Sequence, residues 1–149
     1  TVPPVRLKIP VINVDADVEH VGLTKEGAVG IPNKPDNVAW FNLSPTPGKK
    51  GNSIIDGHFG YSNRRPAVFD NLYKLKKGDK IYVLDAHGVM TIFVVQKLQS
   101  FDREESVPEI FNSLDGKSHL NLITCGGDWS EIAKSHSKRL VVFADLLVE

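Results

Sequence analysis

Apolar and polar residues alternate along much of the chain, and β-branched residues fill many of the apolar positions. The segment from Val5 to Val14 has this character, and Pro10 divides it, which predicts two short strands or an edge strand. Residues 30–52 carry Pro32, Pro35, Pro45 and Pro47 together with several glycines, so they read as loop around one apolar island, Val38-Ala39-Trp40-Phe41. Ser53-Ile54-Ile55-Asp56-Gly57 is a short apolar run that ends at a glycine. Lys80–Leu84 and Val89–Val95 flank the tetrapeptide Asp85-Ala86-His87-Gly88, the pattern of a β-hairpin. Ser106–Leu114 is the best helix candidate, with Ser106 as N-cap, Pro108 in the first turn and Glu109 at N3. Leu120–Thr124 and Leu140–Val148 are the last two strands. Eight or so short strands with one or two short helices predict an all-β fold, a closed or nearly closed barrel.

At 149 residues the chain has the size of one domain with a real core, spanning 1–149. Its 18 basic and 18 acidic residues cancel, so the basic footprint of a nucleic-acid binder is missing. The pairs Arg64-Arg65 and Lys76-Lys77 read as solvated loop charge. No run of 18 apolar residues occurs, and Thr1-Val2-Pro3-Pro4 is neither a signal peptide nor a membrane span. The chain starts abruptly just before an alternating segment, so we expect an N-terminal anchor to have been removed.

One cysteine cannot form an internal disulfide, so the fold stands on its core. The candidate chemistry gathers around this thiol. Cys125 ends the strand Leu120–Thr124 and precedes Gly126-Gly127, which have no side chains to block a substrate backbone. A thiol of ordinary pKa ~8.5 is only a few per cent ionised at neutrality, so a nucleophilic cysteine needs a base or a cation beside it. His58, in Asp56-Gly57-His58-Phe59-Gly60, follows one strand, and Arg139 opens the last. Each candidate sits at a strand edge, where a barrel can bring them together. The plain alternatives are a small buried cysteine, a hydrogen-bonded structural histidine and a solvated arginine. His20, His87, His119 and His136 lack metal-ligand spacing and read as surface or turn residues, so no metal is expected.

The strings Asp56-Gly57-His58, Leu122-Ile123-Thr124-Cys125 and Arg139-Leu140-Val141-Val142-Phe143-Ala144 resemble the three signature segments of the sortases, in order and in spacing. Ile9-Pro10 through Leu23, Gly48 through His58, and Phe69 through Asp79 resemble further stretches of that family, so the likeness covers nearly the whole chain. It implies a closed sortase-type β-barrel and a cysteine transpeptidase that cleaves a C-terminal sorting signal, often LPXTG-like, after its threonine. By the same resemblance Cys125 forms a thioester, His58 exchanges protons with the leaving and incoming amines, and Arg139 holds substrate and oxyanion. The implied partners are the sorting peptide of a secreted protein and an amine from a peptidoglycan precursor or a pilin. The implied place is the outer face of a bacterial membrane. The chemistry calls for no cofactor.

Thr124, Gly126 and Trp129 are weaker candidates for shaping the substrate groove, and strand propensity alone accounts for a β-branched residue at position 124. The Gly-Gly-Asp-Trp that follows Cys125 departs from the best-known sortases and leans toward class F or class E. Asp102, Glu104 and Glu105 are scattered acids, not the cluster of a calcium-modulated site. Two other readings stand beside the sortase: another Cys–His thiol enzyme, such as an L,D-transpeptidase or cysteine peptidase, and a non-catalytic β-barrel binding module.

Overall fold

The computed structural model describes residues 2–60, 66–102, 106–113, 115–125 and 138–147. The described residues form a closed barrel of eight strands: β1 (Pro4–Ile9), β2 (Val14–Val21), β3 (Val38–Phe41), β4 (Gly51–His58), β5 (Lys80–Asp85), β6 (Met90–Asp102), β7 (Ser118–Cys125) and β8 (Lys138–Leu146). Round the barrel they run β1-β2-β3-β4-β7-β8-β6-β5, and β5 closes on β1. Only β2–β3 and β4–β7 pair in parallel. The all-β barrel expected from the sequence is therefore present.

Pro10 breaks the first apolar segment as its ring requires. Residues Pro10–Ile12 form a single 3-10 turn, which Asn13 ends in the left-handed conformation at φ 59°. The apolar island of the proline-rich loop is the fully buried strand β3. The helix is shorter than expected. It is one turn, α1 (Pro108–Phe111), with Val107 in place of Ser106 at the N-cap, no side-chain cap, and Glu109 at the second helical position. Asn112 is already extended, while Asn52 Nδ2 donates to Glu109 O and Ile110 O and Asn121 Nδ2 donates to Ile110 O at 2.6 Å. The carbonyls that would have carried a second turn are held by barrel side chains instead. Leu114 lies outside the described residues.

Alternation along each strand divides the apolar side chains into two clusters. Leu7, Ile55, Phe69, Phe93, Leu122 and Val142 belong to the barrel interior. Ile54, Ile123, Val141 and Phe101 form a second cluster on the outer face, under Val107 and Ile110 of the α1 segment. Gly57 belongs to the inner row, and the reason for its bare backbone is contact: a Cβ there would lie 2.7 Å from Phe69 Cδ2 and 2.8 Å from Val68 Cγ1.

Far from that end, His119 opens β7 between two carboxylates. Its Nδ1 is 2.6 Å from Asp145 Oδ1 and its Nε2 is 2.8 Å from Asp115 Oδ2. This histidine is a strand residue that joins the α1–β7 loop to β8, not a turn residue; His87 does sit in the β5–β6 turn, and His136 lies outside the described residues. Burial works against the His119 cation, but the bonds to Asp145 and Asp115 outweigh it and raise its pKa above the usual value. The Lys117 amide and Ser113 hydroxyl, with His119, hold Asp115 down to about 2.

Two outcomes follow from this packing. Gly57→Ala should lose about 1–3 kcal/mol in denaturant unfolding, since Phe69 has no room to retreat; an unchanged midpoint would contradict the contact. The His119 contribution is present in mildly acidic solution and fades as pH rises through its raised pKa. His119→Gln should therefore lower Tm clearly more at about pH 6 than at about pH 9, and an equal loss at both would show that the ion pairs carry no stability.

Candidate active site

Three neighbouring strand ends hold the three principal candidates. β4 and β7 stay in parallel register from Gly51↔Ser118 to His58↔Cys125, so histidine and cysteine are the last rung of that ladder. Paired residues on adjacent strands project to one face, about 4.8 Å apart. The β7–β8 ladder ends at Ile123↔Val141, and the same antiparallel register carried two residues further sets Cys125 opposite Arg139. Alternation from Ile54, Ile123 and Val141 of the outer cluster puts Asp56, His58, Cys125 and Arg139 on the outer face.

Single hydrogen bonds hold these ends where the ladders stop. Phe59 N–H donates to Cys125 O at 3.1 Å, and Phe69 N–H donates to His58 O at 3.0 Å. Leu140 N–H donates to Thr124 Oγ1 at 2.9 Å. The Thr124 hydroxyl is thus engaged as an acceptor in tying β7 to β8. Gly126 and Trp129, with the rest of the segment 126–137 on which the class reading rests, lie outside the described residues, as do Arg64, Arg65, Glu104 and Glu105.

The His58 ring is buried, and its Nε2 is 2.8 Å from Pro32 O. A carbonyl oxygen can only accept, so Nε2 carries hydrogen. The loop that supplies this carbonyl is itself fastened by Glu19 on β2. The Glu19 carboxylate accepts from Asn33 N–H at 2.9 Å, from Asn37 Nδ2 at 3.0 Å and from Lys34 N–H at 3.3 Å. Burial opposes the Glu19 charge, but these donors outweigh it and lower its pKa, and the positive form of His58 adds to the effect.

A hollow of about 370 Å³ opens beside the thiol, lined among others by Val29, Ile31, Asp56, Phe111, Cys125 and Arg139. A smaller one of about 210 Å³, with Phe59, Phe69 and Tyr73 in its wall, shares Thr124 and Arg139 with the first. Cys125 is partly exposed, and Thr124 and Arg139 stand between the two hollows. Among the described residues no cluster of His, Cys, Asp or Glu is arranged to hold a metal ion.

Asp56 and Glu19 are the residues that sequence reasoning passed over. Asp56 is 5% exposed, its Oδ1 has no hydrogen-bond partner, and it lines the same hollow as Cys125. Burial pushes its carboxyl up to about 8, against the pull of its own amide and with a further push from Glu19. The available signal was an acid inside the apolar run Ser53–Gly57. Nothing local marked Glu19, whose partners lie in the next loop.

The sequence and fold match known proteins throughout. The model of the sortase domain matches residues 7–147. Sortase A of Bacillus anthracis is 32% identical over 100 residues, which are 66% of this chain and 41% of that protein, so the chain spans less than half the length of this curated relative. Among solved structures, sortase C-1 of Actinomyces oris is similar with a TM-score of 0.75 and 27% identity, covering 98% of this chain and 76% of that one. Sortase A of Corynebacterium diphtheriae shares the fold, with a TM-score of 0.73 and 22% identity over 100% of this chain and 63% of that one. With nearly its whole length matched by the family model and its barrel repeated in these structures, the chain belongs to the sortase family.

Proposed function

We propose that residues 1–149 form a catalytic domain that moves a peptide acyl group from a sorting signal to an amine through a thioester on Cys125. The observation that supports this most directly is the terminal rung His58↔Cys125, with Arg139 two residues beyond the last β7–β8 pair, in the wall of the hollow that Cys125 also lines. The Cys125 thiolate attacks the carbonyl carbon of the signal's threonine to give a tetrahedral oxyanion, whose collapse breaks the C–N bond to the next residue and leaves the threonine acyl group on sulfur as a thioester. Because His58 Nε2–H is directed at Pro32 O, the exchangeable proton belongs to Nδ1. As imidazolium the ring protonates the departing amine; as imidazole it takes the proton of the incoming amine, whose attack expels the thiolate. Arg139 remains a cation throughout and supplies donors to the developing oxyanion.

The substrate we assign is an LPXTG-like signal at the C-terminus of a secreted protein, and the acceptor an amine of a peptidoglycan precursor or a pilin lysine. The reaction belongs at the outer face of a bacterial membrane, held there by a segment beyond this chain. No helix among the described residues is long and apolar enough to cross a membrane. A cysteine peptidase with the same nucleophile would pass the acyl group to water whatever amine is supplied.

Incubated with an LPXTG-type peptide library, the enzyme should gain one acyl mass on Cys125 and none in Cys125→Ala. Arg139→Ala should slow acylation by roughly 10²–10³-fold, the usual consequence of losing an oxyanion donor. An adduct on another residue, or an unchanged rate in Arg139→Ala, would remove the proposed mechanism.

The rate should also follow a bell in pH. The acid limb loses thiolate and the alkaline limb loses imidazolium. A flat profile from about pH 5 to about pH 10 would mean that the nucleophile and the acid do not act as a pair.

A further inference from the structure

We propose that the hollow beside Cys125 takes a basic group of the substrate, an ammonium or guanidinium, against the Asp56 carboxyl. This rests on the transpeptidase reading and extends it to substrate selection. A carboxyl that is 95% buried and leaves Oδ1 without a partner is costly to keep, because an unmet buried acceptor retains its full desolvation penalty. This one is not sealed in the core. Asp56 belongs to the outer row of β4, two residues before His58, and it faces the cavity that also holds the thiol.

The rest of that wall is largely apolar, with Val29, Ile31, Phe111 and Ile123. A neutral peptide amide can donate to Oδ1 but brings no countercharge. A basic side chain or an amine brings both a donor and a countercharge, and its methylene stem suits the apolar wall. The titratable and charged groups around Asp56 are Glu19 on β2, His58 on its own strand, Cys125 on β7 and Arg139 on β8. The neighbouring strand β3 contributes Ala39, and the α1 segment contributes Phe111. The charge that acts on Asp56 is the like charge of Glu19, which makes a cation from outside more welcome.

The pH dependence has a definite sign. Asp56 ionises at about 8, so at pH 7 a cation must first displace its proton. That costs about tenfold in affinity. Preference for a basic ligand should therefore grow as pH rises to about 8 and level off above it.

The basic group has two sources, the sorting signal and the acceptor amine, and binding to Cys125→Ala separates them without any chemistry. One arm uses LPXTG-type peptides in which each residue before the threonine is in turn lysine or norleucine. The other uses pentylamine against pentanol. We expect a preference of at least about tenfold at pH 8 for the charged member of one pair, abolished by adding Asp56→Asn, with binding of the neutral member retained. Loss in the peptide arm assigns the group to the signal, and loss in the amine arm assigns it to the acceptor. Equal affinities in both pairs, or a preference that survives Asp56→Asn, would overturn the proposal. If the double variant does not fold, Asp56→Ser in the Cys125→Ala background takes its place, and a preference that survives that change overturns the proposal. Acyl-enzyme formation by the unaltered enzyme is a separate readout, so failure of the transpeptidase reading would be seen independently.

Discussion

The parallel pairing of β4 with β7 is the constraint on which the site depends. Eight consecutive rungs, Gly51↔Ser118 to His58↔Cys125, fix the cysteine beside the histidine through backbone hydrogen bonds alone. A slip of one residue would turn every side chain of β7 to the opposite face and send Cys125 into the barrel. That slip is prevented by burial on both faces: Leu120 and Leu122 fill the interior, and Asn121 and Ile123 are covered outside by the α1 segment and its cluster. Cys125 and His58 are thus set beside one another by core packing elsewhere along the same two strands. This is also why the Gly57 backbone is bare, because Phe69 must come that close to close the barrel end beneath His58.

The same outer face treats two carboxyls in opposite ways. Glu19, Ala39, Asp56, Ile123 and Val141 form one continuous row across five strands. At one end Glu19 meets three amide donors and stays ionised; two strands along, Asp56 is dry, lacks a partner for Oδ1 and is driven toward its neutral form. Side-chain type is nearly the same, so the difference is environmental. The ionised acid fastens the loop whose Pro32 carbonyl meets the His58 ring, and the suppressed acid lines the hollow beside Cys125. Geometry ties Glu19 to His58 through the loop that carries Pro32, and Asp56 to Cys125 through the hollow that both line.

The strands were legible because β-branched residues alternate, and Pro10 and the hairpin at Asp85–Gly88 announced their own breaks. The family signatures around His58, Cys125 and Arg139 could be read as well. Pairing was harder, because β4 and β7 are separated by the whole β5–β6 hairpin, and no local pattern states which distant strand will be the neighbour. The helix failed for a related reason. Ser106, Pro108 and Glu109 form a reasonable local start, but tertiary bonds from Asn52 and Asn121 capture the carbonyls that a second turn needs. Asp56 and Glu19 were missed because burial and partners, not residue type, give them their roles.

A closed barrel has no free sheet edge, so its reactive groups must sit on a face or at strand ends. This chain uses both, placing His58, Cys125 and Arg139 on the outer face at the ends of β4, β7 and β8. Strand ends are where ladders stop and splay, and here the looseness is removed by Phe59 to Cys125, Phe69 to His58 and Leu140 to Thr124. Two of those bonds join backbone to backbone, and the third uses the Thr124 hydroxyl. Cys125 and Arg139 line the larger hollow, and Arg139 also lines the smaller one. The two-step acyl transfer we propose needs that arrangement, since the group that leaves and the group that arrives must both reach one sulfur while the backbone beneath it stays still.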